Sequence, residues 1–414
     1  MNSAKLLVYR PICYCLEAKE EILILCPFRG IKPLVSYAIL ILTLFSSEVI
    51  GQEPSKEEKK ADRKTRKLEK VESGKLLITP LAGPAYTPEL GFTIAGGIMT
   101  SFKTNLSDSL IQRSSAPVML GVSSTGAYFL QSKWTTFWLK DKMRIYSDLN
   151  FKDMPDNYWG IGYDAAKNSY KSDTTTRYKR TWFQFNPKVL WQFKKNWFIG
   201  TTININYTKG EDACIAVAED PTFAKYNDKP FNSGLGAVFQ YDSRDVPVNA
   251  WGGAFVELSA TFFGAYFGGQ NNYQVYDFDV RKYFQISRPG KTLAIQLRGR
   301  FGYNDIPYGE MSQLGTPFDL RGYTWGRYRD NSMFFAITEY RHMFLKKNGD
   351  ISPHGIVLWT GAGSIGTTAK DFTGWLPNIG IGYRLTVQPR MNLRLDYGFG
   401  SESQGFYFNF NESF

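Results

Sequence analysis

Residues Gln404–Phe414 read Gln-Gly-Phe-Tyr-Phe-Asn-Phe-Asn-Glu-Ser-Phe. Phe406, Phe408, Phe410 and Phe414 fall on one parity, while Tyr407, Asn409, Asn411 and Ser413 fall on the other. Side chains alternate across a β-strand, so this segment has one greasy face and one polar face. A single strand of this kind suits a soluble sheet with one face on a core. A chain built from many of them, with the polar rows inside, is an outer-membrane barrel.

The pattern recurs. About sixteen strand-like segments run from Leu76 to Phe414: 76–85, 91–103, 116–124, 127–139, 142–153, 177–193, 197–209, 231–242, 251–264, 272–284, 291–304, 331–344, 353–366, 374–386, 391–400 and 404–413. In 197–209, Trp197, Ile199, Thr201, Ile203, Ile205 and Tyr207 oppose Phe198, Thr202, Asn204 and Asn206. The outer row carries an aromatic at each end, as a lipid-facing strand does where it meets two interfaces. In 291–304, Leu293, Ile295, Leu297, Phe301 and Tyr303 oppose Gln296, Arg298 and Arg300; in 391–400, Leu393, Leu395, Tyr397 and Phe399 oppose Asn392, Arg394 and Asp396. Segment 331–344 does not alternate, and the pattern gives it no inward face.

Composition agrees with a barrel. The chain is 16% aromatic with 38 glycines, yet its mean hydropathy is −0.30. A helical membrane protein is greasy overall, whereas a barrel turns every second residue to a polar lumen. The competing reading is a soluble all-β protein with an aromatic core. The one long apolar run, Leu34–Phe45, follows Arg29 and Lys32. It is too short to span as a helix and reads as a secretory signal cleaved near Gly51-Gln52. Residues 1–51 thus form a pre-region and signal, although Met1–Gly30 is unusual for one. Leu25 is too large for the position before a lipidated cysteine, which argues against an anchor at Cys26. Cleavage removes Cys13, Cys15 and Cys26 and leaves Cys214 without a disulfide partner. Gln52–Lys75 is dense in charge and nearly free of apolar residues, so it cannot bury a core and reads as a periplasmic linker. The barrel is expected over 76–414.

Connections add a second signal. Met154–Thr176, Gly210–Pro230 and Asp305–Asp330, each after an odd-numbered strand, are long; Lys194–Asn196, Ser243–Ala250 and Leu345–Ser352, after even ones, are short. Barrels place long loops outside and short turns in the periplasm, and an even strand number puts linker and C-terminus on the periplasmic side. Thr104–Ser115 and Ser401–Ser403 break the rule.

Arg321-Gly322-Tyr323 with Gly326, between the eleventh and twelfth strands, resembles the Arg-Gly-Phe/Tyr loop motif of the bacterial surface antigen family, the BamA- and TamA-like superfamily of barrel assembly and two-partner secretion. Tyr86–Gly91, Tyr158-Trp-Gly-Ile-Gly162, Asp242-Ser-Arg-Asp245 with Pro247 and Gly252, Glu339-Tyr-Arg341 and the terminal Phe match in order and spacing. The resemblance covers about Leu76–Phe414. It implies a sixth loop folded into the lumen, with Arg321 paired to acids on the inner wall of strands twelve and thirteen. Glu339 takes the first of these positions. On the thirteenth strand, Trp359-Thr-Gly-Ala-Gly363 puts Gly361 where the second acid belongs, which leaves Glu339 as the expected main anchor and a weakened hold. Arg321→Ala and Glu339→Ala are then expected to loosen the loop alike. Asp242, Arg244 and Asp245 are expected to tie a periplasmic turn, and Phe406, Phe408, Phe410 and Phe414 to form an outward-facing terminal assembly signal. Members of this family that handle other proteins usually carry POTRA domains, which Gln52–Lys75 is too short to hold.

The resemblance implies a pore or insertase-like barrel acting through its seam and its lumen loop. Pro80, Gly83 and Pro84 fit a soft first strand. A non-catalytic scaffold or narrow channel stays open as an alternative, as does a barrel enzyme acting on outer-membrane lipid. The expected partners are outer-membrane lipids, the barrel-assembly machinery and periplasmic or outer-membrane proteins. The net charge of +11 carries no nucleic-acid motif. His342, His354 and Cys214 lack metal-ligand spacing, no Gly-x-Ser-x-Gly elbow is present, and the glycine pairs Gly361/Gly363 and Gly380/Gly382 lie in strands, where they relieve crowding. No cofactor, metal or catalytic residue is expected.

Overall fold

The computed structural model describes residues 65–66, 69–87, 91–108 and 111–414. The pre-region 1–51, with its signal, and the linker up to residue 64 lie outside them; residues 69–72 of the linker are helical. No helix among the described residues is long and apolar enough to cross a membrane, which says nothing of strands.

The strands are β1 (Leu77–Thr87), β2 (Gly91–Phe102), β3 (Ser114–Ser115), β4 (Val118–Ser123), β5 (Tyr128–Trp138), β6 (Met143–Asn157), β7 (Arg177–Lys194), β8 (Trp197–Glu211), β9 (Phe231–Asp242) and β10 (Gly253–Phe263). They continue with β11 (Tyr273–Gln285), β12 (Lys291–Asn304), β13 (Ser312–Gln313), β14 (Arg329–Asp330), β15 (Ser332–Leu345), β16 (Ile351–Gly366), β17 (Leu376–Gln388), β18 (Met391–Gly400) and β19 (Gln404–Phe410). All but β13 and β14 belong to one sheet of 17 strands. Since β3 and β4 are two pieces of one pass on either side of Ala116-Pro117, the sheet makes sixteen passes. Each pass pairs antiparallel with the next, from β1–β2 through β18–β19.

The two ends of the meander meet. A Cβ on Gly83 of β1 would lie 3.8 Å from the Phe408 ring of β19, and Gln388 at the end of β17 donates to Thr79 Oγ1 of β1 at 2.7 Å and to the Met99 oxygen of β2 at 3.2 Å. Among the described residues no ladder of hydrogen bonds joins β1 to β19, so this contact is the one unladdered join in the wall. The β1–β2 register runs past Pro80 and Pro84 without a shift. Their shared parity puts both missing donors on one edge.

Burial alternates as the pattern predicts. In β8, Phe198, Thr202 and Asn206 are buried, while Ile199 is 55% and Ile203 46% exposed. Leu235, Leu258, Leu297, Leu358, Ile379 and Ile381 extend this exposed apolar band around the wall. A soluble domain rarely leaves such a belt uncovered. β15, which has no inward face by pattern, buries Met333, Phe335, Ile337, Glu339, Arg341 and Met343. Its upper inner face is apolar because Leu314, Leu320, Tyr323 and Tyr328 of the preceding loop pack on it.

Phe406, Phe408 and Phe410 hold the outer parity of β19, but Phe414 does not join them. Asn411 takes φ 62°, a left-handed turn that asparagine tolerates, and Phe414 is buried with Tyr283 and Ala250 under the Arg341 guanidinium. Residues on the two sides of this turn should therefore fail differently. Phe410→Asp, on the lipid side, is expected to lower the amount of folded barrel recovered from membranes. Phe414→Leu, which keeps an apolar side chain inside, should leave it near normal. Equal losses in a heat-modifiability gel would contradict the turn.

Candidate functional site: a loop anchored across the lumen

Residues 305–331 leave β12 and return to β15. Pro307 leads a single 3-10 turn, Tyr308–Glu310, and Ser312–Gln313 pairs with Arg329–Asp330 to form a neck. Asp319 folds the apex locally: its Oδ1 accepts from Gly315 N and Thr316 N at 2.8 Å, and its Oδ2 from Thr316 Oγ1 at 2.6 Å. Gly322 sits at φ 116°, and a Cβ there would lie 2.5 Å from Gly400 N. Glycine is required for both reasons, the left-handed backbone and the close approach.

Arg321 is fully buried. Its Nη2 donates to Glu339 Oε1 and its Nη1 to Asp396 Oδ2 at 2.6 Å. The guanidinium lies 3.7 Å above the Trp359 ring, where stacking on an indole face adds to the ion pairs. Burial alone disfavours the cation, but the two carboxylates outweigh it and raise the Arg321 pKa above that of an ordinary arginine. The expectation of a weak, single anchor is thereby corrected. No acid stands at Gly361, yet the second carboxylate comes from β18, and the thirteenth pass contributes Trp359 in place of an acid. Backbone groups finish the grip. Asn378 Nδ2 donates to the Arg321 oxygen at 3.1 Å, Gly322 N to Tyr407 Oη at 2.9 Å, and Tyr323 Oη to the Pro377 oxygen at 2.7 Å.

The inner wall makes room for this by lacking side chains. A Cβ on Gly398 would meet the Arg321 oxygen at 2.5 Å, one on Gly400 the Tyr323 ring at 2.8 Å, and one on Gly380 the Trp359 ring at 2.1 Å. The strand glycines are a trough for the loop.

Beyond Tyr323 the loop reaches the opposite wall. Trp325 packs edge-on to Trp182 of β7, with Lys152 of β6 above its ring at 3.7 Å. Arg327 Nε donates to the Ala166 oxygen of the short helix Tyr163–Asn168 at 3.1 Å, and its Nη1 pairs with Glu402 at 3.2 Å. Gly326, at φ 77°, lies beside the Arg329 guanidinium. The loop is therefore fixed on both sides of the lumen.

Asp242, Arg244 and Asp245 belong to a second cluster that the structure does not bring to Arg321. Asp242 accepts from Arg144 Nη1 at 2.6 Å and from Arg244 Nε at 2.9 Å. Asp245 accepts from Trp251 N at 3.0 Å and Arg390 Nη2 at 2.7 Å. Arg390 also donates to the Asn249 oxygen and stacks 3.5 Å above the Trp251 ring. These bonds draw the β9–β10 turn to the β17–β18 turn, six passes away along the wall, at the end opposite the long loop.

Asp396, Trp359, Arg384, Glu412, Trp325 and Arg390 are absent from the sequence-based site. The inward parity of Asn392, Arg394 and Asp396 was the available signal for the first. Four guanidinium groups, of Arg321, Arg341, Arg384 and Arg394, share three carboxylates, of Glu339, Asp396 and Glu412. No cluster of three metal-ligating side chains occurs among the described residues.

Glu310, at the loop base, faces Arg300 of β12, Arg180 of β7, Arg329 of β14 and Tyr273 of β11. Burial pushes its carboxyl up to about 7 against the pull of the three arginines. Because the folded value is the higher one, its stabilisation is present below the ordinary carboxyl range and lost as pH rises through about 7. The loop should resist protease better at about pH 5 than at about pH 9, by at most about 3 kcal/mol. Glu310→Gln should shrink that difference; a loop equally resistant at both values in the unsubstituted protein would contradict it.

Residues 116–414 match the Omp85 superfamily domain. No curated protein sequence matches the chain. Among solved structures, BamA from Haemophilus ducreyi lacking POTRA domains 1-3 is 12% identical, with 81% of this chain and 69% of that chain aligned at a TM-score of 0.50. CdiB from Acinetobacter baumannii is 14% identical, with 81% of this chain and 59% of that one aligned at 0.48. Likeness at this identity is one of fold.

Proposed function

The chain belongs to the Omp85 superfamily, and from that premise we propose that it acts on other protein chains at its seam, with the lumen held shut by its own loop. The observation that carries this reading is the contrast between the two routes. The lumen is crossed by a loop fixed to both walls. Among the described residues the wall is laddered at every join except that between β1 and β19. A strand edge that is not laddered to its neighbour is a template for another strand, and Pro80 and Pro84 remove two donors from one edge of β1.

In this reading residues 76–414 are the barrel, 52–75 a charged periplasmic linker, and 1–51 a pre-region with its signal. Sixteen passes put the linker and C-terminus on one side, the periplasm, with the long loops outside. Outer-membrane lipids cover the apolar band, and the proteins served are those presenting an unpaired strand, brought by periplasmic or barrel-assembly partners. The arginines and carboxylates of the clamp are tied to one another, and none is assigned a catalytic role.

Depletion of the protein followed by quantitative proteomics of the outer membrane tests the reading. A loss of other barrels or secreted chains is the expected result. An unchanged proteome would sink it and leave a scaffold or narrow channel.

A further inference from the structure

The loop anchor and the C-terminal tail meet on one carboxylate. Glu339 Oε1 accepts from Arg321 and also from Ser413 Oγ at 2.6 Å. Its Oε2 accepts from Arg341 Nε at 2.9 Å, and Arg341 Nη2 reaches the Phe414 oxygen at 3.0 Å. A second route runs through Asp396, which Arg321 shares with Arg384 at 2.6 Å each; Arg384 Nε in turn binds Glu412 at 2.8 Å. Ser413 is thus bonded to one of the acids that hold Arg321, and Glu412 and Phe414 to the two arginines that share those acids with it.

The tail is attached in a way that permits it to leave. Asn411, at φ 62°, turns it off the end of β19 into the barrel; Asn411 N still donates to the Asn392 oxygen of β18 at 2.7 Å and Asn392 Nδ2 to Glu412 at 2.7 Å, but the strand ladder of the wall ends at Phe410. Its withdrawal would take one of two carboxylates from Arg384, which then competes harder for Asp396. It would take the Phe414 oxygen from Arg341, which then turns wholly to Glu339. Both changes draw an acid away from Arg321. A β-strand that pairs along the open edge of β19 and continues past Phe410 needs Asn411–Phe414 extended, and so requires this withdrawal.

We infer that residues 411–414 are a latch energetically coupled to the lumen loop, so that a strand captured at the seam releases the plug. The inference rests on reading 305–331 as the closure of the lumen and the seam as the working edge. Coupling between two sites is reciprocal, which makes it measurable without any client protein. Hydrogen exchange is followed on the purified barrel in detergent, in peptides covering 305–330 and 404–414. Glu412→Gln and a chain ending at Asn411 should each raise exchange in 305–330 by about 5-fold or more, within the range of ordinary allosteric coupling. Arg321→Ala should raise exchange in 404–414, and its effect should match that of the tail deletion on the loop. Glu412→Gln removes one charge and keeps the shape of the side chain, so it reports even if the truncated chain fails to fold. Tail variants that speed exchange only in 404–414 would overturn the coupling. The depletion experiment is independent of this result: an unchanged proteome would refute the seam reading while leaving the coupling intact.

Discussion

Asp396→Ala is expected to damage the clamp more than Arg321→Ala does. Asp396 serves three buried guanidinium groups, those of Arg321, Arg384 and Arg394. With four arginines and three acids in the cluster, losing Arg321 leaves three of each, whereas losing Asp396 leaves four arginines and two acids. Removing one partner of a buried pair costs about 3–5 kcal/mol because the other charge is left uncompensated. Asp396→Ala should approach that range, and Arg321→Ala should fall well below it. The equal effects of Arg321→Ala and Glu339→Ala expected from the motif alone give way to the same asymmetry, since Glu339 also holds Arg341. Urea titration followed by protease sensitivity of 305–330 would measure it. An Arg321→Ala barrel less stable than Asp396→Ala would contradict the charge balance.

Gly398→Val should expel the loop by volume alone. The added Cβ would sit 2.5 Å from the Arg321 oxygen and 2.7 Å from its carbonyl carbon, backbone atoms that cannot rotate aside. Overpacking a fitted site costs about 1–3 kcal/mol, more where backbone must shift, and here the ion pairs beneath would be lost with it. Gly252→Ala, where a Cβ would meet nothing within 4 Å, serves as the control. Protease should cut 305–330 rapidly in the first variant and at the original rate in the second. A Gly398→Val loop as resistant as the original would show that the loop does not lie in this trough.

The passes of the wall were legible because lipid outside and polar lumen inside impose a period of two on almost every strand. The exception is informative. β15 hides its period because Met333, Phe335 and Ile337 face Leu320, Tyr323 and Tyr328 of the loop, so both of its faces are apolar. Arg321 and Glu339 were legible from a local motif. Asp396 was seen as an inward residue but not as a partner, because 75 positions separate it from Arg321 and only closure of the wall brings them together. Phe414 was misplaced because parity counting assumes a continuing strand, and one left-handed residue, Asn411, ends it. The contact of Arg390 with Trp251 and Asn249 left no trace in any pattern, since two turns far apart in the chain meet only when the sheet curls.

Ion conductance of the purified protein in a planar bilayer tests the central claim, a lumen closed by a loop that Arg321 anchors to Glu339 and Asp396. The unsubstituted barrel should be nearly silent, and Asp396→Ala should show frequent, long-lived openings as the loop swings free. A steady conductance in the unsubstituted protein, of the size of an empty sixteen-stranded barrel and unchanged by Asp396→Ala, would contradict the account.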